Sequence, residues 1–225
     1  MHNRASGSQG AELVIKLVLA SQSPSRREIL TRLCIQYDAL APDIIEEPGL
    51  EETPQEYVQR LSFEKAQKIR SELPVELLEH HEDVWILGND QTSVCKGKIY
   101  EKPETVEVAL QFFRDFSESA VVYYSGITLL SMRTGCFQTW IHESSVLFNA
   151  LTDAMVLKYL ECCPSALQCA SGLKIEGPGV ILVNSVHITD PYAGPGLPIF
   201  LLERFCKNWG RSLLDFCSVA TVLAE

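Results

Sequence analysis

The chain has no C-x-x-C pair, no internal repeat, no low-complexity stretch and no apolar run close to the roughly 20 residues that cross a bilayer. It is also short of positive charge, with 19 Lys and Arg against 29 Asp and Glu and a formal net charge of −10. That balance argues against a broad surface for nucleic acid or anionic membrane, because such surfaces need clustered cations. Without a spanning segment, no membrane partner is expected. Residues 14–20, interrupted by Lys16, are too short and wrongly flanked for a secretory signal, which points to an intracellular, cytoplasmic protein. Cysteine is plentiful, with eight residues, but Cys162, Cys163 and Cys169 with a distant His187 do not follow zinc-finger or ribbon spacing. The cysteines read as small buried hydrophobes of a reducing compartment.

What is present is an ordinary globular composition, 46% hydrophobic over 225 residues, enough for one large domain or two packed lobes. Residues 1–11 read as a disordered lead-in or expression remnant, and residues 12–225 as a single domain. Strand and helix patterns alternate. Strands are expected at Glu12–Ala20, Val84–Gly88, Ala120–Met132, Cys136–Asn149 and Gly179–Ile188, with a hairpin over Thr92–Tyr100 turning at Lys96-Gly97-Lys98. Helices are expected from Pro24 through Cys34, over Pro54–Glu72, Glu104–Phe116 and Thr152–Glu161, and over Ile199–Trp209. Glu79–Asp83 reads as a charged loop. The fold class is α/β with a mixed sheet.

Two segments carry chemistry. In Leu17–Leu30 an apolar strand runs into Ser21, Ser23, Pro24, Ser25, Arg26 and Arg27 at a helix start. Ser23 is placed to cap that helix and Pro24 suits its first turn. Free N–H groups at the helix end, joined by Arg26 or Arg27, make an anion site suited to phosphate. A capped amphipathic helix with its arginines in water satisfies the same pattern. The second segment is Ile86-Leu-Gly-Asn-Asp-Gln-Thr92, followed by Ile99-Tyr-Glu-Lys-Pro103. Asp90, after a strand and a glycine, is placed to hold a divalent metal or orient a water, and Lys102 to neutralise a phosphate. Gly-Asn-Asp is equally ordinary turn chemistry.

Taken together, the motifs resemble the Maf family of nucleotide pyrophosphatases. They are Leu19-Ala-Ser-x-Ser-Pro-x-Arg-Arg27, Arg60–Ala66, Gly88-x-Asp90, Glu101-Lys-Pro103, Tyr124-Ser-Gly126, Leu151-Thr-Asp153, Glu176-Gly-x-Gly179 and Gly196-Leu-Pro198, in the family's order from Lys16 to about Leu214. The resemblance implies a two-lobed, twisted mixed sheet with flanking helices and a central cleft, like that of the inosine-triphosphate pyrophosphatases. It also implies hydrolysis of nucleoside triphosphates between the α and β phosphates with a divalent cation, Mg or Mn, and often a homodimer. Carried over by motif, Asp90 activates the water, Arg26, Ser21 and Ser23 bind phosphate, and Lys65 and Lys102 offset its charge. Glu46 stands at the family's acidic metal position, although this chain has Ile45-Glu46 where relatives often carry Asp-Glu.

Gln91 after the aspartate, and Glu176 in Lys174-Ile-Glu-Gly177, resemble the branch that hydrolyses 7-methyl-GTP. A carboxylate at Glu176 accepts the N1 and N2 protons of a guanine edge and favours a positively charged methylated ring. Ser25 departs from the large aromatic often found there in that branch. The alternatives are a dTTP, UTP or CTP pyrophosphatase of the same family, and a non-catalytic nucleotide-binding regulator of septum formation and cell division. Of the remaining conspicuous residues, His80 and His81 read as solvated and His142 and His187 as structural. Trp85, Trp140 and Trp209 read as core or interface packing. The turn-rich stretch Thr189–Gly196 reads as a mobile loop closing the cleft.

Overall fold

The computed structural model describes residues 14–218. Seven strands form one mixed sheet: β1 (Lys16–Ala20), β2 (Asp38–Leu40), β3 (Val84–Cys95), β4 (Lys98–Tyr100), β5 (Ala120–Ser131), β6 (Phe137–Phe148) and β7 (Val183–His187). Their order is β2-β1-β3-β5-β6-β7, with β4 folded back on β3. β1 lies parallel to both its neighbours, whereas β3, β5, β6 and β7 run antiparallel in succession. Six helices flank the sheet: α1 (Pro24–Arg32), α2 (Pro54–Glu72), the one-turn α3 (Leu77–His80), α4 (Val106–Phe116), α5 (Asp153–Cys162) and α6 (Ile199–Asn208).

The core divides into two lobes. On one face of the first lobe, Leu19, Trp85, Leu87 and Leu129 pack against Leu30, Leu202 and Phe205 beneath α1 and α6. On its other face, Val18, Ile86 and Leu130 pack under Ala66 and Ile69 of α2. The second lobe gathers Phe113 and Phe116 of α4, Tyr159 of α5, Val121 and Phe148. Burial of such large side chains contributes about 1.5–3 kcal/mol each, so each lobe is held by its own apolar cluster.

The boundaries of α2 fall where the sequence puts them. Thr53 and Glu56 form a capping box, Pro54 occupies the first turn, and the buried stripe Tyr57, Val58, Leu61, Ala66 and Ile69 has helical spacing. Elsewhere the structure corrects the expectations. β3 does not stop at Gly88 but runs unbroken to Cys95, because Asn89–Thr92 pair in register with Ile127–Tyr124 of β5. The turn alternative for Gly-Asn-Asp is therefore excluded, and Asp90 sits mid-strand rather than at a strand end. Residues 179–182, expected as the start of a strand, belong instead to the 3-10 turn Pro178–Leu182 before β7 begins. α1 ends at Arg32, and Cys34 takes a left-handed conformation (φ 57°) just past it. Of the expected first strand Glu12–Ala20, residues 12 and 13 lie outside the described residues, residues 14 and 15 are not strand, and β1 starts at Lys16.

The expected charged loop Glu79–Asp83 is partly the helix α3, and Asp83 is buried. Its carboxylate accepts hydrogen bonds from Ser131 Oγ and from the backbone N–H groups of Val84 and Arg133. His81 is likewise only partly exposed, with its Nδ1 buried. Trp85 is core and Trp209 meets it edge-on at 5.0 Å, while Trp140 is exposed under the guanidinium of Arg204. No helix among the described residues is long and apolar enough to cross a membrane.

Candidate active site

The cleft exists because the sheet opens. β1 pairs with β3 only as far as Gly88, and β4 joins β3 only from Ser93. Between them Asn89–Thr92 keep β5 on one side and have no strand on the other. A strand edge of this kind leaves backbone polar groups to be satisfied by something else. Here Arg26 Nη1 donates to the carbonyl of Asn89 at 2.9 Å. The cavity beside this gap has a volume of about 460 Å³.

Two glycines let a helix close on the gap. A Cβ at Gly88 would lie 1.9 Å from the carbonyl oxygen of Ser62, and one at Gly126 would lie 2.1 Å from that of Val58. With no side chain at either position, α2 rests directly on β3 and β5. That close packing delivers the buried Lys65 to the strand. Its Nζ lies 2.6 Å from Asp90 Oδ1 and 2.9 Å from Glu46 Oε1. Asp90 is 6% exposed, and Glu46 is brought in from a loop anchored by the bond from Tyr57 Oη to the Glu46 carbonyl.

The β1–α1 junction supplies the next wall. Pro24 opens α1 as expected, but Ser23 does not use its hydroxyl as a cap; its N–H donates to Ser21 Oγ instead. Arg26 points inward, with Nη1 also donating to Ser21 Oγ and Nε to the carbonyl of Gly196. Burial lowers its pKa, while Asp90 and Glu46 act in the opposite sense. Three of its five N–H donors are thus engaged, and the two on Nη2 have no bond to a described residue. Arg27 is exposed, so Arg26 alone of the pair lines the cavity.

All ten site residues expected from the sequence line this one cavity. Ser21, Ser23, Ser25 and Arg26 come from the β1–α1 junction, Glu46 and Lys65 from the α2 side, Asp90, Gln91 and Lys102 from β3 and beyond its hairpin, and Glu176 from the second lobe. Glu176 is exposed as a residue, yet the walls around its carboxyl group push its pKa upward by desolvation. Gln91 differs from expectation in its partners. Both bonds from its Nε2 go to protein, to Ser125 Oγ and to the carbonyl of Ala193, each at 3.0 Å.

Several cavity residues escaped the sequence reading. Glu101 accepts a bond from Thr92 Oγ1 at 2.8 Å, and burial, with Asp90 and Glu46 nearby, raises its pKa. The signal was its place in Glu101-Lys-Pro103. The wall of Gln168, Cys169, Ala170 and Leu173 has no motif to mark it. It is held by Ser171, at a left-handed φ of 59°, whose hydroxyl bonds Tyr123 Oη at 2.6 Å. The stretch Thr189–Gly196, expected as a mobile lid, is tied down by Arg26, Gln91 and His142.

Among the described residues no three His, Cys, Asp or Glu side chains converge as a ready metal cage. The two carboxylates of Asp90 and Glu46 do converge on one cation, the Lys65 ammonium. Hard oxygen donors of this number suit a small divalent ion that takes its remaining ligands from phosphate and water.

A fold of this topology, with a strand-gap cleft that presents cations and one buried carboxylate, defines an α/β protein equipped for a polyanionic ligand. The family model described as Maf-like protein matches residues 16–209, and the chain belongs to the Maf family. It is 34% identical over 202 residues to a protein of Neisseria meningitidis, with 90% of this chain and 99% of the relative covered. It is 35% identical over 198 residues to a protein of Nitrosococcus oceani (88% and 95% covered) and 36% identical over 186 residues to one of Pseudomonas aeruginosa (83% and 92% covered). All three relatives are named 7-methyl-GTP pyrophosphatase.

Proposed function

We propose that the chain is a nucleoside triphosphate pyrophosphatase that cleaves the α–β anhydride of 7-methyl-GTP, giving the nucleoside monophosphate and pyrophosphate. The observation that carries this reading is the buried Asp90–Lys65 pair at the strand gap, faced by the inward-turned Arg26. Lys65 engages only Oδ1 of Asp90, which leaves Oδ2 for a water. In the proposed reaction that water attacks the α phosphorus, a proton passes from it to Asp90, and the bond from the α phosphorus to the bridging oxygen breaks with pyrophosphate leaving on that oxygen. Positioning and charge stabilisation supply most of the effect in such transfers. Arg26 Nη2 and the first-turn N–H groups of α1 grip phosphate oxygens, with Lys65 and Lys102 offsetting charge as the anhydride breaks. Ser21 fixes the Arg26 fork, and Ser23 and Ser25 offer hydroxyls at the same wall.

Glu46 is the residue that would hold a Mg or Mn ion, with Glu101 close by, and such an ion would withdraw charge from the phosphate oxygens. Glu176, in the second lobe, accepts the donor edge of the purine, and its negative charge favours the cationic methylated ring over unmethylated guanine. The relatives' shared name supports this substrate. The test is pyrophosphate release from 7-methyl-GTP, GTP, dTTP, UTP and CTP with Mg or Mn, for wild type and Glu176→Gln. The reading predicts a preference for 7-methyl-GTP that the substitution lowers about tenfold, the scale of one charge-assisted hydrogen bond. A pyrimidine preference would replace the substrate and leave the chemistry. Absence of turnover on every nucleotide would favour a binding protein. A homodimer and a cytoplasmic location complete the proposal, and size-exclusion chromatography and fractionation test them.

A further inference from the structure

We propose that the loop spanning residues 189–197 is a specificity-determining wall of the cleft: it seats Ile175 and Glu176 through the close approach of Gly194 to Ile175, and Arg26, Gln91 and His142 fasten it. The proposal deepens the reading of Glu176 given above and rests on it. Three side chains from three elements hold the loop. His142 Nε2 of β6 lies 3.0 Å from Thr189 Oγ1. Gln91 Nε2 of β3 donates to the Ala193 carbonyl at 3.0 Å, and Arg26 Nε of α1 donates to the Gly196 carbonyl at 3.2 Å. Within the loop the buried Asp190 carboxylate accepts from the N–H of Tyr192 and from the N–H of Phe200 in the first turn of α6. Both Nε2 bonds of Gln91 go to protein, and through the one to Ala193 it positions the loop.

Where the loop reaches the cleft it presents Gly194 and Pro195. A Cβ on Gly194 would stand 3.0 Å from Ile175 Cγ2 and 3.4 Å from Ile188 Cδ1. Gly194 is not among the positive-φ residues, so glycine serves closeness here rather than backbone conformation. The loop backbone thus runs close enough to Ile175, the residue next to Glu176, that an added methyl would displace one or the other. Packed walls resist compression, and a loop fixed at three points passes a displacement on rather than absorbing it.

The test compares wild type, Gly194→Ala, and Gly194→Ala combined with Ile175→Leu, which moves the methyl off Cβ at nearly constant volume. Two quantities are read: the ratio of kcat/KM for 7-methyl-GTP over GTP, and amide hydrogen exchange across residues 173–177. Gly194→Ala is expected to lower the ratio about tenfold, the scale of one misplaced hydrogen bond. It is also expected to speed exchange at 173–177, and the double variant should recover both. Unchanged exchange at 173–177 in Gly194→Ala, or no recovery in the double variant, overturns the proposal. A wild type without preference for the methylated purine overturns the reading of Glu176 instead, and exchange then decides the seating alone. Gln91→Glu, whose carboxylate has no proton to give the Ala193 carbonyl, should speed exchange over 189–197. Exchange unchanged there removes Gln91 from the clasp.

Discussion

In the proposed reading of Glu176, one carboxyl's environment sets both selectivity and its pH range. The cleft walls raise its pKa above the ordinary glutamate value by desolvation. The proposed preference for a cationic base needs the ionised form, which exists above that raised pKa and disappears as pH falls through it. Selectivity for 7-methyl-GTP over GTP should therefore decline on acidification at a higher pH than an unperturbed glutamate would give. Glu176→Gln should flatten that profile, and a wild-type ratio constant down to pH 4 would contradict it. Glu52 behaves in the opposite way. Arg60 in ion-paired contact, with the Gly49 N–H, depresses its pKa to about 2. Its contribution to stability is fully present above the unfolded-state pKa near 4.5 and is lost as pH falls toward about 2. Glu52→Gln should destabilise the protein at neutral pH and much less at pH 2, as read by denaturant melts at both values.

At the scale of elements, α2 and β3 together make the site, and their legibility differs for physical reasons. Thr53, Pro54 and Glu56 announce the start of α2 locally, so its limits could be read directly. Removing the cap with Thr53→Ala should cost about 1 kcal/mol in urea unfolding. The continuity of β3 through Gly88-Asn89-Asp90 was not legible, because it depends on non-local pairing with β5. Local turn chemistry and long-range pairing conflict there, and the ladder wins. Gly88→Ala sets a methyl against the Ser62 carbonyl and should push α2 off the sheet. A loss of about 1–3 kcal/mol is expected, together with reduced turnover as Lys65 withdraws from Asp90. Stability and turnover both unchanged would mean that the approach of α2 to β3 does not matter.

Across the whole molecule, the candidate site residues scattered from Ser21 to Glu176 meet in one cavity, which no spacing argument reveals on its own. The residues with obvious chemistry were legible because phosphate sites need particular charges. The wall at Gln168–Leu173 and the clasp from His142 to Thr189 were not, because apolar lining and single neutral hydrogen bonds leave no signature in sequence. In a chain of net charge −10, Arg26, Lys65 and Lys102 are gathered at one cleft, where Glu46, Asp90, Glu101, Glu104 and Glu176 share the lining. The most direct test of the account is pyrophosphate release from 7-methyl-GTP by Asp90→Asn, with the fold checked by thermal melting. Loss of the carboxylate proposed to activate the water should lower kcat about 10²–10⁴-fold in a protein that still melts cooperatively. Turnover at the wild-type rate in a folded Asp90→Asn variant would contradict it.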